Sequence, residues 1–489
     1  MKEKATNVAA VTTALFIATF MTAVEGTIVA TALPTIVGDL HGVELMNWIV
    51  AIYLLTNAMA TPVFGKLADR IGRKPVFEVG LAVFVCGSLL SGLAQSMPVL
   101  IVMRALQGIG AGAIMPVTFT IIADIYPFEK RAKVLGFNGS AWGIAALVAP
   151  LLGGFIVQQL SWHWIYFINV PIGIITMLIV WVALQEDYQP HNAPVDFWGT
   201  LWLVVGLLLL LLGFQAIATP HGGLKLLGFL VVAALCFWLF VRQERKAQDP
   251  IIDLRLFTNR AFVITNLVAA LISGFVIGYE TYMPMWVQGV LGKSAAWGGF
   301  VITPSSLMWI VGSFVAGKLL VTMSAKRIIN LALVILLIGG GILALVPETT
   351  PYWAFLVIAC GLGFGFGAII TTTTVRAQAV VAKDTVGVAT SFNTLSRTLG
   401  QTLMVAVFGV ILNLQMAHGV ATDSRLSTEM LNRLIDPQKA KSLPETVLPA
   451  LQRIVYSGLH YIYWATVIVV ALALVVNIFD RDQTPTTSA

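Results

Sequence analysis

The chain has 489 residues, of which 58% are hydrophobic and only 11% charged, and its mean hydropathy is +0.89. Soluble domains carry roughly 25% charged residues, so the composition excludes an ordinary soluble enzyme or binding module. The net charge of +6 reflects topology, so it gives no ground to expect a nucleic-acid partner, and three cysteines inside apolar stretches (Cys86, Cys236, Cys360) form no disulfide framework or metal spacing.

Apolar runs of about 20 residues recur along the chain, the length that spans a bilayer at 1.5 Å per residue. Fourteen are expected, near 10–32, 46–66, 76–96, 99–122, 134–158, 164–185, 197–217, 224–242, 262–286, 297–320, 327–346, 352–375, 389–414 and 459–479. The reading is an all-α polytopic membrane protein. Lys2 and Lys4 precede the first run, but its length and an internal Glu25 mark it as an uncleaved span rather than a signal peptide. With the N-terminus inside, 20 of the 29 Lys and Arg fall on the cytoplasmic side, and five of the seven outside lie in one loop. This positive-inside bias predicts cytoplasmic termini in a cell membrane.

Glu25, in Ala23-Val24-Glu25-Gly26-Thr27-Ile28-Val29, is the first functional clue. A charge near the bilayer centre costs roughly 2.5–3.5 kcal/mol on the mildest scale and is retained for a task. Between spans 2 and 3 stands Gly65-Lys66-Leu67-Ala68-Asp69-Arg70-Ile71-Gly72-Arg73-Lys74. Gly65 and Gly72 permit a tight turn, and Asp69 is placed to pair with Arg70, Arg73 or Lys74 or to face a helix N-terminus. Span 4 carries Arg104 and Gln107, with Arg104 at a depth similar to Glu25, so the two are expected to pair. Span 5 carries Ala145-Ala146-Leu147-Val148-Ala149-Pro150-Leu151-Leu152-Gly153-Gly154, in which small residues allow close packing and Pro150 a kink.

A polar linker at 186–196 ends the first six spans, and a mixed-charge segment at 243–260 precedes the last six. Gly65-Lys66-Leu67 returns as Gly317-Lys318-Leu319, 252 residues later. Gly136-Phe137-Asn138 aligns with Ser391-Phe392-Asn393, and Glu25 loosely with Glu280. These echoes predict two pseudo-symmetric six-helix halves, residues 1–185 and 261–489, with spans 7 and 8 inserted at 186–260. Glu280 in span 9 is either an interfacial residue or a second proton or cation site. Arg397 in span 13 either joins Gln107 as an inter-half polar contact or snorkels to the inner interface. Tyr53, Met115, Trp142, Tyr279, Tyr282 and Trp286 are candidates for an aromatic binding pocket, with packing as the alternative. The external loop 415–458 bears an apolar stripe (Leu426, Met430, Leu431, Leu434) and reads as a helical cap lying on the membrane.

The Gly65–Lys74 motif resembles the signature loop of the major facilitator superfamily. The segment around Arg104 resembles its second motif, in which a buried arginine is tied to proton transfer. The span 5 segment is similar to the antiporter motif, although Ala145 and Ala149 replace its leading glycines. Thr27, Ile28, Val29, Ala32, Leu33 and Pro34, with Trp162-His163-Trp164 and Asn169-Val170-Pro171, resemble the fourteen-helix drug:proton antiporters, with Glu25 where those carry aspartate. The resemblance covers nearly the whole chain. It implies a bacterial exporter of lipophilic, often cationic compounds, driven by inward proton flow; alternating access, a monomer and no cofactor are expected with it. Glu25, Arg104 and Glu280 would couple, the Gly65–Lys74 loop would latch, and Pro150, Gly153 and Gly154 would form the antiporter bend. No Walker motif points to ATP, and no catalytic or metal-binding constellation appears. The alternatives are an exporter or symporter of an endogenous metabolite, or a membrane sensor or enzyme without transport.

Overall fold

The computed structural model describes residues 6–186, 196–216, 222–247, 254–381 and 386–480. Most of the expected linker at 186–196 and part of that at 243–260 lie outside the described residues. The described residues are helical throughout, with no strand. The long helices are α1 Val8–Leu40, α2 Met46–Ile71, α3 Arg73–Gly92, α4 Met97–Ile125, α5 Phe128–Gln159, α6 Asn169–Ala183 and α7 Phe197–Ala216. They continue as α8 Gly222–Glu244, α9 Arg260–Met285, α10 Thr303–Leu319, α11 Ala325–Leu345, α12 Tyr352–Ala379, α13 Val386–Ala421 and α14 Leu448–Ile478.

Among the described residues, thirteen helical stretches are long and apolar enough to cross a membrane, and Trp198–Phe214 within α7 is a shorter apolar helix. Local chemistry sets several ends. Asn7 accepts from the Ala10 N–H and caps α1, and Asn259 accepts from Ala261 and Phe262 to cap α9. Gly72, at φ +103°, makes the reversal between α2 and α3, a backbone region that favours glycine. α1, α13 and α14 run beyond the expected apolar stretches, so the loop expected at 415–458 shrinks to 422–447.

The helix packing repeats. α2 packs on α4, α3 on α4, α1 on α5 and α3 on α6; likewise α10 packs on α12, α11 on α12, α9 on α13 and α11 on α14. Glycines fix the register. A Cβ on Gly108 or Gly112 would press on the carbonyls of Tyr53 or Asn57, and one on Gly363 or Gly367 on those of Ser305 or Trp309. The α4 and α12 members of these pairs are 255 residues apart, and the α2 and α10 members 252. α1 and α9 repeat at a third offset. Asn138 of α5 bonds Thr19 of α1, and Asn393 of α13 bonds Asn266 of α9, so Thr19 and Asn266 correspond, 247 residues apart.

The halves meet where α2 packs on α13, α5 on α10 and on the short helix Ala295–Phe300, and α1 on α9. α7 and α8 pack on each other, and α7 rests on α2 and α13, with Leu203, Leu207 and Leu211 against Ile52 and Leu55. Large apolar side chains such as Trp181, Leu224, Phe314 and Trp353 are exposed, as expected of a surface solvated by lipid.

Candidate functional site

Glu25 is fully buried, and it faces the interior of its own half rather than the space between the halves. Arg104 Nη1 of α4 donates to Glu25 Oε1 and, at 2.7 Å, to Gln107 Oε1. Asn169 Nδ2 of α6 donates to Glu25 Oε2 at 2.6 Å and to Ser88 Oγ of α3 at 3.0 Å. Gln107 Nε2 donates to Ser88 Oγ at 3.1 Å, and Ser88 Oγ donates to the Tyr166 carbonyl at 2.9 Å. Arg104 Nε reaches the Ile49 carbonyl of α2 at 3.2 Å, and the guanidinium lies 4.2 Å from the Tyr53 ring centroid. Helices α1, α2, α3, α4 and α6 therefore converge on one charge pair. Such a pair is tolerable in hydrocarbon only when its remaining hydrogen-bonding capacity is met, as it is here. The close approach that Gly87 allows, where a Cβ would lie 2.5 Å from Gln107 N, brings Ser88 within reach.

The second half reproduces the frame without the charges. The offsets above carry Glu25 to Ile272, Ser88 to Gly340, Arg104 to Ala359 and Gln107 to Leu362. Glu280 is thus not the counterpart of Glu25 but lies about two turns farther along its helix. Neither Glu280 nor Arg397 makes a hydrogen bond or ion pair among the described residues, and both are half-buried. Gln107, expected between the halves with Arg397, belongs to the first-half network because its turn of α4 faces α3.

The expected aromatic pocket does not assemble. Trp286 packs on Phe355, Tyr456 and Tyr463 inside the second half, and Tyr279 on Phe366. Tyr53 lies under Arg104, and Tyr282 donates to Asn47 across the seam. Of the six residues, Trp142 is 47% exposed and Met115 half-buried. A helix apolar on every side gives no sequence signal of which face is core and which is cavity.

The Gly65–Lys74 loop is clamped by a residue that sequence reasoning missed. Glu186, just past α6, accepts from the Arg73 and Lys74 backbone N–H groups at 2.7 and 2.9 Å. Lys74 Nζ caps the end of α6 at the Leu184 and Trp181 carbonyls, and Arg73 pairs with Asp124 at 3.1 Å. Arg70 is exposed, Gly65 faces Pro116, and the side chain of Asp69 lies outside the described residues. The second half has a matching clamp in which Lys326, 252 residues after Lys74, caps α14 at Ile478 and Asp480, and Arg376 pairs with Asp480.

Pro150, Gly153 and Gly154 lie at the seam. A Cβ on Gly299 would strike the Pro150 carbonyl, one on Gly154 would lie 2.7 Å from Ala296 Cα, and one on Gly153 would meet Thr31. The loop expected to lie on the membrane is instead docked on protein. Its helix Thr428–Ile435 buries Leu431, Leu434 and Ile435, Asn432 accepts from Val43 N, and Lys439 donates to the Gly38 carbonyl at 2.8 Å. With Asn413 donating to the Glu44 carbonyl, this loop ties the halves together at the α1 C-terminal end. Among the described residues, no group of three or more His, Cys, Asp or Glu could hold a metal.

Three comparisons bear on this arrangement. The Major Facilitator Superfamily profile matches residues 15–405. The chain is 32% identical to the multidrug transporter protein MdtP of Bacillus subtilis, covering 96% of this chain and 92% of that one. It is also 32% identical to multidrug resistance protein 3 of the same organism (95% and 93%) and 30% identical to the multidrug efflux pump SdrM of Staphylococcus aureus (82% and 89%). Among solved structures, an inward-facing bacterial homolog of the human lysosomal transporter Spinster superposes with a TM-score of 0.69 at 16% identity, covering 96% of each chain; this similarity speaks to fold alone. The chain belongs to the Major Facilitator Superfamily and is a transporter rather than an enzyme.

Proposed function

We propose that this chain exports lipophilic, mainly cationic drugs by drug:proton antiport, as a member of the fourteen-helix antiporter group, with both termini in the cytoplasm of a cell whose membrane it spans. The observation that carries the reading is the buried Glu25–Arg104 pair, with its hydrogen bonds to Asn169 and Gln107. The names of the relatives above support drug efflux. In this orientation the docked 422–447 loop covers the outer end, and the drug takes the space between the halves.

Glu25 is turned away from that space, so its task is the proton rather than the drug's charge. A proton arriving on Glu25 leaves the Arg104 guanidinium uncompensated in a low-dielectric interior. Arg104 also holds the Ile49 carbonyl, and Asn47, two residues earlier on α2, bonds Tyr282 of the other half. Protonation therefore acts on the helix that joins the halves, and alternating access follows. One proton entering down 100 mV releases about 2.3 kcal/mol, enough for about a 50-fold gradient of a neutral drug. Exporting a monovalent cation for one proton is electroneutral, and Glu280, unpartnered in the second half, is then the group that meets the drug's positive charge.

The test is ethidium efflux driven by an imposed pH gradient in proteoliposomes. The wild-type chain expels the dye and releases protons to its inner side, whereas Glu25→Gln transports only down the dye's own gradient. Unchanged proton-driven efflux by Glu25→Gln would sink the reading.

A further inference from the structure

A hollow of about 380 Å³ lies on the second half, where α9 begins and α14 ends. Ligand sites run from roughly 300 to 1,000 Å³, so the hollow is large enough to be one. Its walls come from α9, from α14, which packs on α9, and from Phe257 and Thr258 just before α9. No residue of the first half lines it.

The lining is graded along α9. Arg260, Val263 and Leu267 recur at helical spacing on one face and span about 10 Å by helical rise. Arg260 stands at the end of the span. Val263 and Leu267 follow deeper into the apolar stretch, opposite Val476 and Phe479 of α14. Leu267 is 48% and Phe479 57% exposed, so the hollow is an open trough on the bundle surface.

The polar end is cationic and unsatisfied. Among the described residues, the Arg260 side chain makes no hydrogen bond or ion pair, and no acidic side chain lines the trough. Asp480, next to Phe479, is buried and paired with Arg376, so it offers Arg260 no counter-charge. Asn259 takes the Ala261 and Phe262 N–H groups with its side chain and the Val263 N–H with its carbonyl. The Arg260 N–H is therefore the donor left open in the first turn of α9, where the helix dipole adds partial positive charge.

Basic pockets between membrane helices hold anionic headgroups. A cation at the interface with an apolar trough below it matches a phosphate joined to an acyl chain. A soluble anion would leave the trough unfilled, and a zwitterionic lipid would bring its own cation beside Arg260. We infer that the trough is a site for an anionic phospholipid, with its phosphate on Arg260 and one acyl chain along Val263, Leu267 and Val476. In the orientation proposed above this is a lipid of the inner leaflet. Phe479 lies between Ile478 and Asp480, whose carbonyls Lys326 holds, so the bound lipid rests against the clamp of the second half.

Native mass spectrometry of the delipidated full chain tests the site by binding alone. Titration with palmitoyl-oleoyl phosphatidylglycerol and with the matched phosphatidylcholine gives both affinities. The wild-type chain is expected to bind phosphatidylglycerol about fivefold more tightly, the scale of one arginine at a lipid phosphate. Arg260→Gln should remove that preference and leave phosphatidylcholine nearly unchanged, while Arg260→Lys should keep it. Leu267→Trp, which fills the trough from an exposed position, should weaken both lipids. Phosphatidylglycerol with a diazirine in its acyl chain should label the peptides that contain residues 263–267 and 476–479. Glycerol phosphate, which lacks the chains, should not compete. Equal wild-type affinities, an unchanged preference in Arg260→Gln, labelling confined to other peptides, or competition by glycerol phosphate would each overturn the site. Labelling of the wild-type chain decides even if no variant folds.

Discussion

Asn393 donates to Asn266 at 3.0 Å in one half, just as Asn138 donates to Thr19 at 2.9 Å in the other. All four side chains are buried, and each pair pins a first helix to a fifth helix at the same level. Asn393→Ala removes a partner from a buried amide and is expected to cost about 1–3 kcal/mol. Thermal unfolding of the detergent-solubilised protein checks this. The double substitution Asn266→Leu and Asn393→Ala should lose less than the sum of the two single changes.

Breaking the buried charge pair from one side is the costlier change. Glu25→Gln or Arg104→Gln alone should each destabilise the chain by about 3–5 kcal/mol, because the remaining charge has no partner. Glu25→Leu combined with Arg104→Met should regain much of that stability while remaining incapable of proton-driven efflux. Unfolding midpoints and pH-jump efflux on the same preparations separate the two effects. Recovery of coupling in the double variant would remove Glu25 from the proton path.

Glycines divide into two kinds. A Cβ on Gly367 would lie 2.0 Å from the Trp309 carbonyl, while one on Gly317 would meet nothing within 4 Å. Gly367→Ala is expected to lose about 1–3 kcal/mol or more through helix separation. Gly317→Ala should be neutral or gain about 0.5–1 kcal/mol. Expression level and unfolding midpoint read out both.

The docked loop predicts a protease phenotype. Removing Asn432 and Lys439 together (Asn432→Ala, Lys439→Ala) takes away three contacts, to Val43, Gly38 and Asp39, that hold residues 422–447 to the first half. Limited proteolysis should then cleave this segment several-fold faster than in the wild type. Unchanged cleavage would mean that the buried Leu431, Leu434 and Ile435, with the Glu429–His41 contact, suffice to hold the loop.

What could be read in advance was whatever lives within one helix or one turn. Glu25 and Arg104 stand out because a charge in an apolar run is rare, and similar depth made their pairing a fair expectation. Asn169 and Ser88 did not stand out, since neutral polar residues occur in many spans for local reasons. Glu186 clamps a loop more than 110 residues away, a distance no local pattern spans. The aromatic pocket failed because burial in a helix packed on all sides leaves no periodic trace. Glu280 was matched to Glu25 by a single offset, whereas the two first helices repeat at 247 residues and the second helices at 252.

The doubled frame has a further meaning. The chain keeps the scaffold in duplicate and the cluster in single copy, with Ile272, Gly340, Ala359 and Leu362 at the corresponding positions of the second half. The Glu25–Arg104 pair thus belongs to one half of the frame alone. A change at that pair therefore bears on one half directly and reaches the other through the seam, where Tyr282 holds Asn47.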